Sequence, residues 1–395
     1  MQKILRILLL LVAVATPAFA QSSRNLGEVV FSGDRNVIGV RVSGSTPELN
    51  GLALRAFNAH GRYRVVPSNY SYDIRFTQVS GTQVRVDVLR GGGNQPVFSE
   101  VATGTSARNA LLRAADIAVA KTSGLNLRGF FATQLAFIGE RTGHREVYTS
   151  DLFFGAARQI THDNAQALTP RWSPDGGRIL YTSFYKGFPD IYLIDLGTYQ
   201  RTIFASYKGT NSGARFSPSG QQVAMVLSGT GNTEIWTSGA SGAGKVRRTN
   251  SPEVKSSPCF SPDGGRLVFA MEPGPQLYVM SAAGGAPARV SSGISSYCAE
   301  PDWSRANPNK IAFTARVGGR YQIAVLDLST GRSEIVSDAA FDGIEPSWLA
   351  DGRHLVYTAR DRSTSVICIL DTETKKSTPV SGSFGLVEQA NTLYR

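Results

Sequence analysis

The chain has 395 residues, 42% of them hydrophobic and 18% charged, and its 41 Lys and Arg against 30 Asp and Glu give a formal net charge of +11. A basic chain can bind nucleic acid, anionic lipid or acidic protein. Here, however, the cations are scattered, and the densest run, Lys245 to Arg248, reads as a solvated face, so nucleic acid is not an expected partner.

Residues 1–20, MQKILRILLLLVAVATPAFA, place Lys3 and Arg6 before a short apolar run and end on Ala18-Phe19-Ala20, the small-x-small pattern of a cleavable secretory signal. The run is too short for a comfortable membrane span. The expectation is an exported, soluble, monomeric chain starting near Gln21, with residues 21–36 as a flexible N-terminal segment or first strand. Residues 37–128 read as a small α/β domain. NVIGVRV alternates as a strand, residues 47–61 look helical with Gly61 as stop, and RYRVV returns as strand. A hairpin follows across Ser80-Gly81, then another strand, then a helix from near Ser106 to Gly124 with Leu111, Leu112, Ala115, Ile117 and Ala118 on its buried face. LNLRGFFAT, 125–133, is the joint.

From residue 129 to 395 the chain repeats. PRWSPDGGRILYT (170–182) holds an aromatic, a Pro-Asp-Gly turn and a branched, aromatic strand. It recurs as ARFSPSGQQVAMV, PCFSPDGGRLVFA, PDWSRANPNKIAFT and PSWLADGRHLVYT. The strand after the turn starts at Ile179, Val223, Leu267, Ile311 and Leu355, each 44 residues on, and one step back reaches Leu135. A second strand recurs as EVYTSDL, DIYLIDL, EIWTSGA, QLYVMSA, QIAVLDL and VICILDT, and a third closes each unit. Short strands at this period define propeller blades. The fold class is therefore mainly β: a six-bladed β-propeller preceded by a small α/β domain. Blade one lacks a turn motif ahead of it, and Thr392 lies 44 residues beyond Trp348, so residues 386–394 are expected to supply its innermost strand.

Catalytic patterns are scarce. The string Gly239-Ala240-Ser241-Gly242-Ala243 fails the nucleophile-elbow pattern at its last position, and no phosphate loop or dinucleotide fingerprint occurs. His60, His144, His162 and His354 are too dispersed for a triad or zinc cluster and read as surface residues. Asp302, Glu300 and Glu345 could converge on the channel, and a channel cation is the one cofactor they could hold. Cys259, Cys298 and Cys368 cannot all pair; Cys259 and Cys298 could meet between adjacent blades, or all three are small buried thiols. Binding rather than catalysis is expected, and no enzyme activity.

The combination of signal peptide, α/β domain, six blades bearing P-x-W/F-S-P-D-G and a closing C-terminal strand resembles the TolB family, the periplasmic components of Tol-Pal envelope systems. The resemblance spans the exported chain. It implies a periplasmic scaffold supporting outer membrane integrity and constriction at division, whose propeller mouth binds the peptidoglycan-associated lipoprotein Pal. Its N-terminus would be recognised by the inner membrane protein TolA. The Pal-contacting positions map here to Thr210, Asn211, Gly213, Ser256, Ser257, Tyr297, Glu300, Asp342 and Glu345, ahead of the inner-strand aromatics. The TolA-binding segment maps to residues 21–34, with Leu26, Val29, Val30 and Phe31 as anchors. The chain departs from the family pattern at Ser219, at Ser304-Arg305-Ala306-Asn307 and at Glu388-Gln389-Ala390-Asn391. A diverged propeller binding a glycan or another envelope protein is the alternative.

Overall fold

The computed structural model describes residues 37–393. The expected signal peptide, the segment 21–36 and the anchors Leu26, Val29, Val30 and Phe31 lie outside the described residues.

The first domain is a five-stranded sheet covered on one face by two helices. Its strands are β1 (Ile38–Gly44), β2 (Tyr63–Val65), β3 (Tyr72–Gln78), β4 (Gln83–Arg90) and β5 (Pro96–Thr103), in the order β2-β1-β3-β4-β5. β1 runs parallel to β2 and β3, while β3, β4 and β5 form an antiparallel meander. The alternation of Val84, Val86 and Val88 puts all three on the covered face, where they are buried. α1 (Pro47–Ala59) starts where the Thr46 hydroxyl accepts the Leu49 N–H at 3.3 Å and Pro47 supplies a preset φ. α2 (Ala107–Thr122) starts on Ser106, whose hydroxyl accepts the Asn109 N–H at 3.2 Å. Leu49, Leu52, Ala53, Ala56 and Phe57 of α1, and Leu111, Leu112, Ala115 and Ala118 of α2, are buried at helical spacing. Ile117 is only partly buried.

The second domain is a ring of six four-stranded antiparallel sheets. Their innermost strands are Val387–Leu393 in blade one, then Ala167–Trp172, Asn211–Phe216, Lys255–Phe260, Cys298–Trp303 and Asp342–Trp348 in blades two to six. Val387–Leu393 pairs antiparallel with Gln134–Gly139, Thr392 opposite Leu135, so the two ends of the disc are stitched within one blade. This leaves the ring no unpaired edge between its first and last blades. Two faces result. Inner strands begin at an upper face, which also carries the loops between second and third strands; they end at a lower face, which carries the turn motifs.

The turns hold as their chemistry predicts. In blade two the Ser173 hydroxyl accepts the Arg178 N–H at 2.9 Å, Asp175 accepts the Gly177 N–H at 2.9 Å, and Gly176 takes φ +67°. Of the divergent copies, the first keeps the same closure and the second replaces it with a shorter one. With Ser219 in place of Asp, Ser217 still accepts the Gln222 N–H at 3.1 Å. In SRAN the Ser304 hydroxyl accepts the Asn307 N–H at 3.1 Å. All three cysteines are buried free thiols, so Cys259 and Cys298 do not pair.

The α/β domain sits on the lower face against blades one and six. Arg108 clasps Asp151 with two hydrogen bonds of 2.9 and 3.0 Å, and Lys376 donates to the Asn58 carbonyl at 2.8 Å. The joint is packed: Asp116 of α2 accepts the Phe131 and Ala132 N–H groups at 2.6 and 3.1 Å, and Phe130 and Phe131 are fully buried. Two histidines read as surface residues are in fact its centre. His60, capping α1, and His354, in blade six, are both fully buried with ring centroids 4.3 Å apart. Neither neighbouring sequence announces that the end of α1 lands on that turn. His144 and His162 are exposed as expected.

Candidate functional site

The channel through the disc is lined by two rings of side chains, each contributed once per blade. The first ring is Thr169, Gly213, Ser257, Glu300, Glu345 and Gln389, three residues ahead of each aromatic position. All six have positive φ, between 49° and 63°, at a bulge in each inner strand. Only glycine takes this conformation freely; in the five others it costs about 1 kcal/mol each. A relay of hydrogen bonds between blades offsets part of that cost. The Glu345 N–H donates to the Glu300 carboxylate at 3.1 Å, the Gln389 N–H to the Glu345 carboxylate at 3.0 Å, and the Thr169 N–H to the Gln389 side-chain carbonyl at 2.6 Å.

The carboxylates thus face each other at the upper half of the channel. Thr314 donates to Glu300 at 2.7 Å, Thr358 donates to Glu345 at 3.0 Å and the Gln389 amide donates to Glu345 at 3.0 Å. Burial and then the neighbouring Glu300 charge push the Glu345 carboxyl up to about 7. Glu345 therefore takes up a proton near neutrality. An upper cavity of about 70 Å³ is lined by both glutamates with Thr169, Ser257 and Gln389, and Arg171 and Arg215 close it from below.

The mapped mouth residues divide into three groups. Gly213, Ser257, Glu300 and Glu345 belong to the ring. Thr210, Ser256, Tyr297 and Asp342 stand above it: Ser256 is exposed, Tyr297 is half-buried with its ring edge-on to Tyr321 at 5.2 Å, and Asp342 accepts the Tyr321 N–H at 3.0 Å. Asn211 differs. Its side chain is fully buried, donating to the Tyr207 and Pro189 carbonyls at 2.8 and 3.2 Å and accepting the Tyr207 N–H at 2.9 Å, so it staples the loop ahead of the strand. Thr169 and Gln389 were missed, although the 44-residue step through Gly213 and Glu345 reaches both.

Around this mouth the upper face carries exposed apolar side chains. Tyr185 and Phe188 project from the loop between the second and third strands of blade two, and Phe188 is 72% exposed. Tyr207, Val254, Phe341 and Leu386, each in the connection leading to an inner strand, are also exposed. An apolar rim thus surrounds a polar channel on the face opposite the α/β domain.

The second ring lies two residues further down: Arg171, Arg215, Cys259, Asp302, Ser347 and Asn391. Below it a cavity of about 200 Å³ opens to the lower face. Arg215 pairs with Asp302 at 2.6 Å, and Asp302 also accepts the Trp348 N–H at 2.8 Å. Among the described residues one set of His and Asp donors, His60, Asp351 and His354, lies within 4.8 Å of one another. His354 Nδ1 contacts Asp351 at 2.6 Å and His60 Nδ1 accepts the Arg62 N–H at 3.2 Å, while the Nε2 atoms of both rings are buried without a hydrogen-bond partner. The two rings meet edge to face, and the group lies at the domain seam.

The fold and the site together define a six-bladed propeller with an open polar mouth on one face and a small α/β domain on the other. The TolB beta propeller domain family matches residues 125–391. The chain belongs to the TolB family. It is 31% identical over 162 residues to the Tol-Pal system protein TolB of Bordetella pertussis, an alignment covering 40% of this chain and 37% of that protein. The TolB of Bordetella bronchiseptica matches equally, at 31% over 162 residues, again 40% of this chain and 37% of the relative. The chain therefore aligns with well under half the length of these curated relatives. The crystal structure of TolB from Acinetobacter baumannii superposes with a TM-score of 0.80 over 93% of this chain and 98% of that one, at 22% identity, which establishes the shared fold. Among the described residues no helix is long and apolar enough to cross a membrane.

Proposed function

We propose that this chain is a periplasmic Tol-Pal scaffold whose upper mouth binds a Pal-type lipoprotein. The observation that carries this reading is the upper face itself, where the strained Glu300–Glu345 ring, Ser256, Ser257, Thr210, Tyr297 and Asp342 form a polar centre inside an exposed apolar rim. That pattern matches the anatomy of a protein interface, an apolar surround with a few buried polar groups that fix register. Asn211 and Gly213 contribute by shaping the strand entrance rather than by contact. A loop or helix end of the partner bearing hydrogen-bond donors would satisfy the paired carboxylates, and the channel gives room for one side chain rather than a domain. Residues 21–34 dock on TolA by adding a strand, with Leu26, Val29, Val30 and Phe31 as anchors. The membership of the chain in the TolB family supports this assignment of partners.

The test is calorimetric titration of residues 21–395 with the soluble domain of a Pal-type lipoprotein. Phe188→Asp and Ser256→Arg, both at exposed positions, are expected to weaken binding about tenfold or more, the effect of losing one well-packed contact or inserting an unmatched charge. Binding by both variants at wild-type affinity would move the site off the upper face.

A further inference from the structure

We propose that the lower half of the channel is a binding site for a compact anion bearing a carboxylate or phosphate group, with Arg171 as its principal ligand. The reason lies in the second ring. At four of its six positions the side chain accepts the N–H of the residue at the next blade's aromatic position: Asn391 from Trp172 at 3.0 Å, Cys259 from Trp303 at 3.3 Å, Asp302 from Trp348 at 2.8 Å and Ser347 from Thr392 at 3.4 Å. A guanidinium has no lone pair to accept with. Arg171 and Arg215 therefore give up a bond that the rest of the ring makes, and the structural role of the position does not explain them.

Arg215 is neutralised by Asp302, which is thereby used twice. Arg171 is not neutralised: among the described residues it forms no ion pair and donates to the carbonyl of its own neighbour, Pro170, at 3.1 Å. Burial, and then the nearby Arg215 cation, push its guanidinium down to about 10, against the pull of Asp302 and Glu345, so it remains a cation held without a direct ion pair. The surroundings add donors, while the acceptors Asp302, Ser347 and Asn391 on the same lining already take backbone N–H groups. Trp172 lines the same cavity, and its indole N–H is buried without a partner. Arg128 from the domain joint and Arg305 from the turn of blade five stand at its lower opening. Arg171, Arg215 and Arg305 beside one already engaged carboxylate around about 200 Å³ favour an anion and disfavour a cation. The volume suits inorganic phosphate or a small polycarboxylate, not a polymer.

The test uses residues 21–395 with inorganic phosphate and citrate as probes, titrated calorimetrically at fixed ionic strength. Saturable one-to-one binding of either is expected, phosphate alone identifying a phosphate ligand and citrate alone a carboxylate. Arg171→Gln should weaken it roughly tenfold or more, the weight of a charge-assisted pair, and Arg305→Gln several-fold, while Phe188→Asp leaves it unchanged because that residue lies on the other face. Arg305 is exposed, so its variant decides the matter should Arg171→Gln fail to fold. Absence of saturable binding of both probes at millimolar concentration, or wild-type affinity in a folded Arg171→Gln protein, overturns the proposal.

Discussion

His60 is packed on every side by groups that decide its charge. From its own domain it meets the Arg62 N–H, the Tyr63 ring and, across the joint, Phe130 and Phe131; from the propeller it meets His354, with Asp371, Asp351 and Arg353 behind it. Burial, then the His354 charge, hold His60 well below the ordinary imidazole range. His354 is the opposite case. Burial works against its charge, but Asp351 and Asp371 outweigh it and raise its pKa to about 9, so it is an imidazolium at neutral pH. A neutral histidine therefore rests on a charged one. Because His60 stays neutral when folded and titrates near 6.5 when unfolded, its stabilising effect is present above that pH and lost below it. His354 contributes with the opposite sign: its share is complete below about 6.5 and is lost as pH rises through about 9. Comparison with His60→Asn removes the His354 and Glu345 contributions, which both proteins share. The stability of the wild type relative to that variant is expected to fall by about 1.4 kcal/mol between pH 7.5 and 5.5, read from urea unfolding; a difference constant with pH would mean that His60 does not sense protons at the seam.

At the scale of the elements, closure of the ring by Val387–Leu393 is the feature on which the others depend. The strand supplies Gln389 and Asn391, which accept the Thr169 and Trp172 N–H groups of blade two, and Glu388, which pairs with Arg145. Removing it exposes the edge Gln134–Gly139 and two unfilled relay positions. A chain ending after Gly385 is expected to self-associate through that edge and to melt well below the full chain; a monomer with an unchanged melting temperature contradicts the closure. The repeat was legible in the sequence because turn chemistry and strand alternation are local, and six copies in phase at 44 residues leave one architecture. The helices were legible for the same reason, Thr46 and Ser106 being caps followed by apolar positions at helical spacing. Contacts set by docking were not. The His60–His354 stack joins elements with no shared local signal, and the arginines at 171 and 215 read as ordinary strand residues until the channel brings them to one ring. The dual use of the bulge residues had a visible trace, Pro after Thr169, Ser257, Glu300 and Glu345, but its meaning required the positive φ.

Along the channel axis Glu300 and Glu345 line the upper cavity, Arg171 and Arg215 line both cavities, and Asp302 lines the lower one, on the side where the joint and the α/β domain stand. The domain seam, fastened by Arg108–Asp151 and by the Lys376 bond to the Asn58 carbonyl, lies on the lower face and leaves the upper face free. A partner approaching from above thus meets the only face of the disc that no other part of the described chain covers. The most direct test of that arrangement is backbone hydrogen exchange on residues 21–395 with and without the soluble domain of a Pal-type lipoprotein. Slowed exchange at 207–213, 254–257, 296–300 and 341–345, with none at the turn motifs or at 125–133, is the expected result. Protection confined to the α/β domain or the lower face would contradict the assignment of the upper mouth as the binding site.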